Sequence, residues 1–366
     1  MSVVRARVAR AEMKIGLSAN ALKHGGGLER YAIDIARGMA EAGVTPAFFA
    51  RSVDASIPEA RLVEPHRINV SFLPAKVRDE WFSWRLRGAR RAADVDVLIG
   101  CNRVACSEIA ICGGTHRGFL RAIGRAPGYF DRRQIALESR QYANARYVVA
   151  HSQMMRDELR TLYGVDDARI RMLYPPVDAQ RFTPVGDDER TALRRRFGFG
   201  ERDVVLLFPS SSHVRKGLPL IEAALQGTDA SIVVAVAGRP PERTSAQLRY
   251  IGYVKDIEDG YRAADYTILA SKYEPFGLVG IESVMCGTPV ILPPTLGCHD
   301  VIADHAKLTF AADDVEALRA VLATAAQRVR AGDRAAVARD AVGYDPGVRH
   351  HVEQLLALAR EAWAPA

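Results

Sequence analysis

Short apolar runs alternate with amphipathic stretches along this chain, and the alternation occurs twice. In the first half the runs are MKIGLS (13–18), TPAFFA (45–50), DVLIG (96–100) and ARYVVAHS (145–152). In the second they are VVLLFPS (204–210), SIVVAVAG (231–238), QLRYIGYV (247–254), YTILAS (266–271) and TPVILP (288–293). Such runs, too short for helices and rich in Val, Ile and Leu, are the pattern of strands buried on both faces. Between them lie LERYAIDIARGMAEAG (28–43), SQMMRDELRTLYG (152–164) and LPLIEAAL (218–225), which read as helices. Strand–helix alternation predicts parallel, doubly wound α/β sheets with helices on both faces. The two series are separated near the midpoint by RMLYPPVDAQRFTPVG (171–186), whose Pro175, Pro176 and Pro184 mark an interdomain link. The expected division is a flexible basic arm over 1–12, a first Rossmann-like domain over 13–176, a second over 177–344 and a C-terminal helix over 345–366. Doubly wound sheets bind ligands beyond the carboxyl ends of their strands, so the cleft between the domains is the expected site.

Composition narrows the partners. No apolar run approaches the roughly 18–20 residues of a membrane span. The start, MSVVRARVARAEMKIGLSAN, has three arginines but no apolar core of a secretory signal. The five cysteines, Cys101, Cys106, Cys112, Cys286 and Cys298, form no Cys-x-x-Cys pair, which argues against a zinc site or disulfide frame and for a reducing, cytoplasmic setting. Charge is uneven: residues 1–176 hold 28 Lys and Arg against 18 Asp and Glu, whereas residues 177–366 hold 22 against 25. An anionic partner is therefore expected to meet the first half. With no helix-turn-helix, RNP or zinc pattern, nucleic acid is set aside.

Several motifs carry chemistry. KHGGGLERY follows the first strand; its glycines let backbone approach a ligand, and the helix starting near Leu28 points its amide dipole at an anion there. The spacing is not the G-x-G-x-x-G of a dinucleotide fingerprint. FPSSSHVRKGLPL places Arg215 and Lys216 at a helix start, where two cations oppose the dipole and call for a diphosphate. Arg239, after AVAG, is either a second phosphate contact or a plain loop arginine. Around RYIGYVKDIEDGY, backbone at Tyr253 and Val254 is placed to read a nucleobase, with Tyr261 nearby. ICGGTHRG ends a strand and sets His116 at the cleft mouth. Asp94-Val95-Asp96 is the one Asp-x-Asp; because it opens a buried run, it reads as the start of a strand rather than a metal site. Finally, SKYEPFGLVGIESVMCGTPVIL brackets a Phe-Gly turn with Glu274 and Glu282, eight residues apart. Helix neighbours lie three or four residues apart, so these acids hold either a ligand or, more plainly, a loop and a helix face.

The last motif resembles the signature of retaining glycosyltransferases of the family-four group, which have two facing Rossmann-like domains (GT-B). GGGLERY, SSSHVRKG and YPPVDAQRF match that family's N-terminal phosphate loop, donor Arg/Lys pair and interdomain linker. Within the group, GGL at 26–28, RKG at 215–217 and GCHDVIAD at 297–304 look most like lipopolysaccharide core glucosyltransferases. The resemblance implies that Glu274 binds donor-sugar hydroxyls and that the backbone of Phe276, Gly277, Leu278 and Val279 faces the sugar and diphosphate. It further implies that Glu282 takes the ribose hydroxyls, that Gly26, Gly27, Arg215 and Lys216 take the phosphates, and that His116 sits over the reacting carbon. In the nearest relatives that last position looks acidic. The C-terminal helix is expected to cross back to the first domain.

The implied reaction is a metal-independent, retaining hexosyl transfer from a nucleotide-diphosphate sugar, with Arg215, Lys216 and helix termini taking the leaving charge and no cofactor needed. Trp81, Trp84 and Arg85, with Arg117, Arg121 and Arg125, mix aromatics with cations, as suits the anionic inner face of a membrane and a phosphorylated lipid acceptor such as lipopolysaccharide core. A nucleotide-sugar epimerase or a phosphorylase on the same fold, a nicotinamide dehydrogenase, and a silent sugar-nucleotide binding module are the alternatives. The sugar, the base and the acceptor hydroxyl stay open.

Overall fold

The computed structural model describes residues 13–332 and 339–364; the arm expected over residues 1–12 lies outside the described residues. The N-terminal half contains strands β1 (Ile15–Ser18), β2 (Ala21–Leu22), β3 (Ala47–Ala50), β4 (Ser52–Val53), β5 (Glu64–Arg67), β6 (Val97–Gly100), β7 (Ile109–Cys112), β8 (Tyr147–Ala150) and β9 (Ile170–Met172). Its helices are α1 (Gly27–Glu41), α2 (Arg78–Ala92), α3 (His116–Ala122), α4 (Tyr129–Asn144) and α5 (Gln153–Tyr163). Seven strands form one parallel sheet in the order β5-β3-β1-β6-β7-β8-β9. The central strands β1, β3, β6 and β7 are buried along their whole length, which is why they are continuous apolar runs in the sequence.

The C-terminal half contains α6 (Asp187–Arg196), β10 (Val204–Ser210), α7 (His213–Lys216), α8 (Leu218–Leu225), β11 (Ile232–Gly238), β12 (Leu248–Gly252), α9 (Ile257–Ala263), β13 (Tyr266–Ile268), α10 (Leu278–Met285), β14 (Val290–Leu292), β15 (Lys307–Thr309) and α11 (Val315–Arg330). A second parallel sheet runs β12-β11-β10-β13-β14-β15. In both sheets the order reverses beside the first strand, between β1 and β6 and between β10 and β13. A crevice opens at such a point because successive connections leave to opposite faces. The glycine loop follows β1, the Arg215-Lys216 turn follows β10 and the EPFG loop follows β13, so all three motifs are delivered to the two switch points.

The last helix, α12 (Val348–Trp363), lies against α1, and its Val352, Leu355 and Leu356 join the core of the first sheet. The chain passes between the halves twice, side by side: Val177 N–H donates to the Pro346 carbonyl at 2.8 Å and the Tyr344 hydroxyl to the Pro175 carbonyl at 2.9 Å. The stretch read as a link differs at its start, since β9 takes Ile170–Met172 as an edge strand. Among the described residues, no helix is long and apolar enough to cross a membrane.

Candidate functional site

One wall of the cleft is built on the second sheet. The single turn α7 ends at Gly217 in the left-handed region (φ +84°), and this bend presents Arg215 and Lys216 to the EPFG loop. The Lys216 ammonium donates to Glu274 Oε2, and Arg215 Nη1 lies 3.6 Å from the same oxygen. Glu274 is fixed from behind, its carbonyl accepting from Gly297 N–H at 3.2 Å. Gly277, also left-handed (φ +93°), turns the chain from the EPFG loop into α10, whose first turn holds Leu278 and Val279. The Phe276 ring itself is buried in the core against Tyr174, which leaves only its backbone for a ligand.

Glu282 sits just over one turn into α10 with its side chain only 3 % exposed. Its Oε2 accepts from the Tyr261 hydroxyl at 2.8 Å. Its Oε1 meets Arg30 Nη2, from the other domain, at 2.7 Å. Tyr261 is fully buried, and burial together with the adjacent Glu282 holds its phenol well above the ordinary range, so it remains a donor. Tyr253, by contrast, is 82 % exposed after β12 and offers a free aromatic face, while Val254 packs against the core.

The facing wall belongs to the first sheet. Gly26 and Gly27 are exposed at the start of α1, with Gly26 as N-cap, and the Glu29 side chain folds back toward them, its Oε2 3.4 Å from where a Cβ on Gly26 would lie. The Gly113-Gly114 turn after β7 abuts Pro275: a side chain at Gly114 would come within 3.0 Å of its ring. Ser152 Oγ donates to the Pro275 carbonyl at 2.6 Å, and the Tyr273 hydroxyl reaches Glu158 at 2.9 Å and accepts from Thr115 N–H at 3.1 Å. These contacts dock the EPFG loop onto the carboxyl ends of β7 and β8. None of Ser152, Glu158, Thr115 or Tyr273 carries a sequence signal that separates it from an ordinary polar loop residue.

His116 makes its hydrogen bonds with α4. It begins α3, but its ring Nε2 is 2.7 Å from Asp131 Oδ1 of α4, and its backbone N–H donates to Glu138 at 3.0 Å. Arg125 meets the same Asp131 oxygen at 2.9 Å. Asp96, read as a strand start, accepts from the Lys14 backbone N–H at 2.9 Å.

Away from the cleft floor, α3, α4 and the loop between them border an open surface groove of about 810 Å³, lined by Arg117, Arg121, Arg125, Arg132 and Arg140 over an apolar floor that includes Leu120 and Ile135. Three of the predicted surface arginines thus share one groove. Trp81, Trp84 and Arg85 stand apart on α2, where Trp84 is 58 % exposed and the two indoles lie 5.0 Å apart. Lys76 over the Phe130 ring, at 4.4 Å, links that aromatic surface to α4.

Residues 25–181 match the family described as Glycosyltransferase Family 4, and residues 189–328 match Glycosyl transferases group 1. The chain is a glycosyltransferase of these families. This glycosyltransferase is 70 % identical over 354 residues to a probable transglycosylase of Burkholderia thailandensis, covering 96 % of this chain and 98 % of the relative. It is 28 % identical over 397 aligned positions to D-inositol 3-phosphate glycosyltransferase 1 of Catenulispora acidiphila, covering 92 % and 91 %. Among solved structures it is similar to WaaG, a glycosyltransferase involved in lipopolysaccharide biosynthesis, with 19 % identity, coverage of 95 % and 98 % and a TM-score of 0.76. Sucrose-phosphate synthase of Thermosynechococcus elongatus gives 19 % identity, coverage of 97 % and 100 % and a TM-score of 0.77. Anabaena HepE in complex with UDP and glucose gives 15 %, 96 % and 100 %, and 0.74. These structural likenesses establish the GT-B fold.

Proposed function

We propose that this glycosyltransferase moves a hexose from a nucleoside-diphosphate sugar to a cell-envelope glycan held at an anionic membrane surface, lipopolysaccharide core first among them, with retention of configuration and without a divalent metal. The observation that carries the reading is the grouping of Glu274, Arg215, Lys216, the first turn of α10 and Glu282 on one wall, at the switch point of the second sheet and across from the N-terminus of α1, whose Arg30 meets Glu282. Glu274 accepts from donor-sugar hydroxyls, and Glu282 accepts from the ribose; carboxylates are strong acceptors for paired hydroxyls. Arg215, Lys216 and the α1 terminus at Gly26 and Gly27 take the charge of the leaving diphosphate. Tyr253 stacks on the base beside the Val254 backbone.

In this reading the acceptor oxygen bonds to the anomeric carbon on the face from which the diphosphate departs. The C1–O bond to phosphate breaks with its electron pair going to the phosphate, and that phosphate oxygen takes the hydroxyl proton. Charge neutralisation by two cations makes a metal unnecessary, and Asp96 is already engaged in starting β6. The arginine-lined groove and the aromatic surface on α2 support an acceptor with anionic and apolar parts, docked from the inner membrane face.

The test is a panel of UDP-, GDP- and ADP-hexoses with EDTA present, against intact and deacylated lipopolysaccharide core, inositol phosphate and fructose 6-phosphate. Nucleotide release is followed and the product anomer is assigned by NMR. Acceptor-dependent release in EDTA, giving the donor's own anomeric configuration on the core glycan, is the expected result. Inversion overturns the retaining mechanism, a requirement for Mg²⁺ overturns the charge assignment, and release only with soluble sugar phosphates moves the acceptor away from the envelope.

A further inference from the structure

Of the two carboxylates in the EPFG motif, Glu274 finds its cations within its own domain, in the turn after β10. Glu282 does not. Its ion-pair partner is Arg30, in the first turn of α1 on the opposite domain, at 2.7 Å. With the Tyr261 hydroxyl on the second oxygen at 2.8 Å, each carboxylate oxygen already has a donor, and the side chain is only 3 % exposed. A ribose diol has no open path to it. One of the two partners must withdraw before the diol binds. Tyr261 is completely buried, and its carbonyl is pinned by Thr288 Oγ1 at 2.7 Å. Arg30 is 34 % exposed and reaches Glu282 on a long flexible side chain from the facing domain. Arg30 is the partner that leaves.

We infer that Arg30 is a positioning residue acting through Glu282: it holds the empty cleft closed on the ribose carboxylate and is exchanged for the ribose hydroxyls when a nucleoside diphosphate enters. The inference rests on Glu282 being the ribose carboxylate. Its consequence is a competition. Donor entry and rupture of the Arg30–Glu282 pair are one event, so apparent affinity is lowered by the share of molecules in which the pair is closed. Removing the guanidinium lifts that competition and at the same time removes a contact that holds the domains together.

The experiment uses the full-length protein in EDTA. Wild type, Arg30→Ala, Arg30→Lys and Glu282→Gln are titrated calorimetrically with UDP, GDP and ADP, and the ligand-free proteins are compared by melting and small-angle scattering. Arg30→Ala is expected to bind the preferred diphosphate about tenfold more tightly, the change produced by losing one charge-assisted contact from the competing state. Ligand-free, it melts lower and scatters as a larger particle, with Arg30→Lys between it and wild type. The gain disappears when Arg30→Ala is combined with Glu282→Gln. A merely structural arginine gives lower melting with weaker or unchanged nucleotide binding, and that result overturns the inference. If none of the three diphosphates binds wild type, the donor reading itself fails; scattering still decides the latch, and an unchanged particle size for ligand-free Arg30→Ala overturns it.

Discussion

Gly217 offers a sharp test of how the donor wall is assembled. Its φ of +84° is one that L side chains rarely adopt, and a Cβ placed there would lie 2.0 Å from the Ala270 carbonyl oxygen. Ala270 lies two residues past the strand that feeds the EPFG loop, and Gly217 directly follows Arg215 and Lys216. Real carbon–oxygen contacts need about 3 Å, so Gly217→Ala must push these two segments apart by about 1 Å, because the obstacle is backbone and cannot rotate away. Gly43 is the internal control. It has nearly the same φ, +76°, but nothing within 4 Å of a Cβ. Gly43→Ala therefore carries only the left-handed penalty, about 1–2 kcal/mol, a fall of a few degrees in melting temperature for a chain of this size. Gly217→Ala carries that penalty plus the displacement. A misplacement of roughly 1 Å between substrate-holding groups costs about a hundredfold in rate. The assay pairs thermal melting with initial rates of acceptor-dependent nucleotide release. Expected are similar small melting shifts with near-normal activity for Gly43→Ala, and a larger shift with about hundredfold lower kcat/KM for Gly217→Ala. If Gly217→Ala keeps kcat/KM within about threefold of wild type, the donor cations and Glu274 are not positioned through this contact, and the reasoning fails.

Three further outcomes are expected. Glu274→Gln weakens the hold on the donor sugar and leaves Lys216 without its carboxylate, so kcat/KM falls by roughly ten- to a hundredfold, while nucleoside diphosphate alone, titrated calorimetrically, binds with nearly unchanged affinity. His116→Ala, whose ring is committed to Asp131, changes initial rates by less than about fivefold; a loss near a thousandfold would restore the ring to the reacting carbon. His351 is buried with Nε2 2.9 Å from the Tyr31 hydroxyl and Nδ1 2.9 Å from the Tyr174 carbonyl, and burial lowers its pKa to about 4. Because the unfolded chain takes up a proton below pH ~6.5 that the native ring refuses, this stability is present above that pH and lost as pH falls toward 4. Urea unfolding between pH 6 and 4.5 should show a slope shallower by about 1.4 kcal/mol per pH unit in His351→Gln than in wild type.

Much of the architecture was legible because strands buried on both faces must be apolar throughout, a property carried by consecutive residues. β10 and β11, VVLLFPS and IVVAVAG, announce themselves this way. The edge strand β5, Glu64–Arg67, does not: with one side in solvent it reads EPHR, and Pro65 is tolerated only because that edge needs no further partner. β9 was hidden for a related reason, being a three-residue edge absorbed into a proline-rich stretch. The chemistry of the site was also partly legible. Glycine, paired cations and spaced glutamates mark ligand loops wherever they fall, since backbone approach and charge are properties of the residues themselves.

What the sequence by itself determined, then, is the twofold strand–helix alternation, the family signature and the residue types offered to the cleft. Which groups face one another was decided only by folding. Arg30 lies in a motif read for its glycines, and its partner Glu282 is hundreds of residues away. The His116 ring found its partner in Asp131, on the next helix. Five arginines spread over α3, α4 and the loop between them line one surface groove. The physical reason is the same in each case. Periodicity and propensity act over a few residues along the chain, whereas ion pairs, hydrogen bonds and grooves depend on where two separately wound sheets set their switch points against each other.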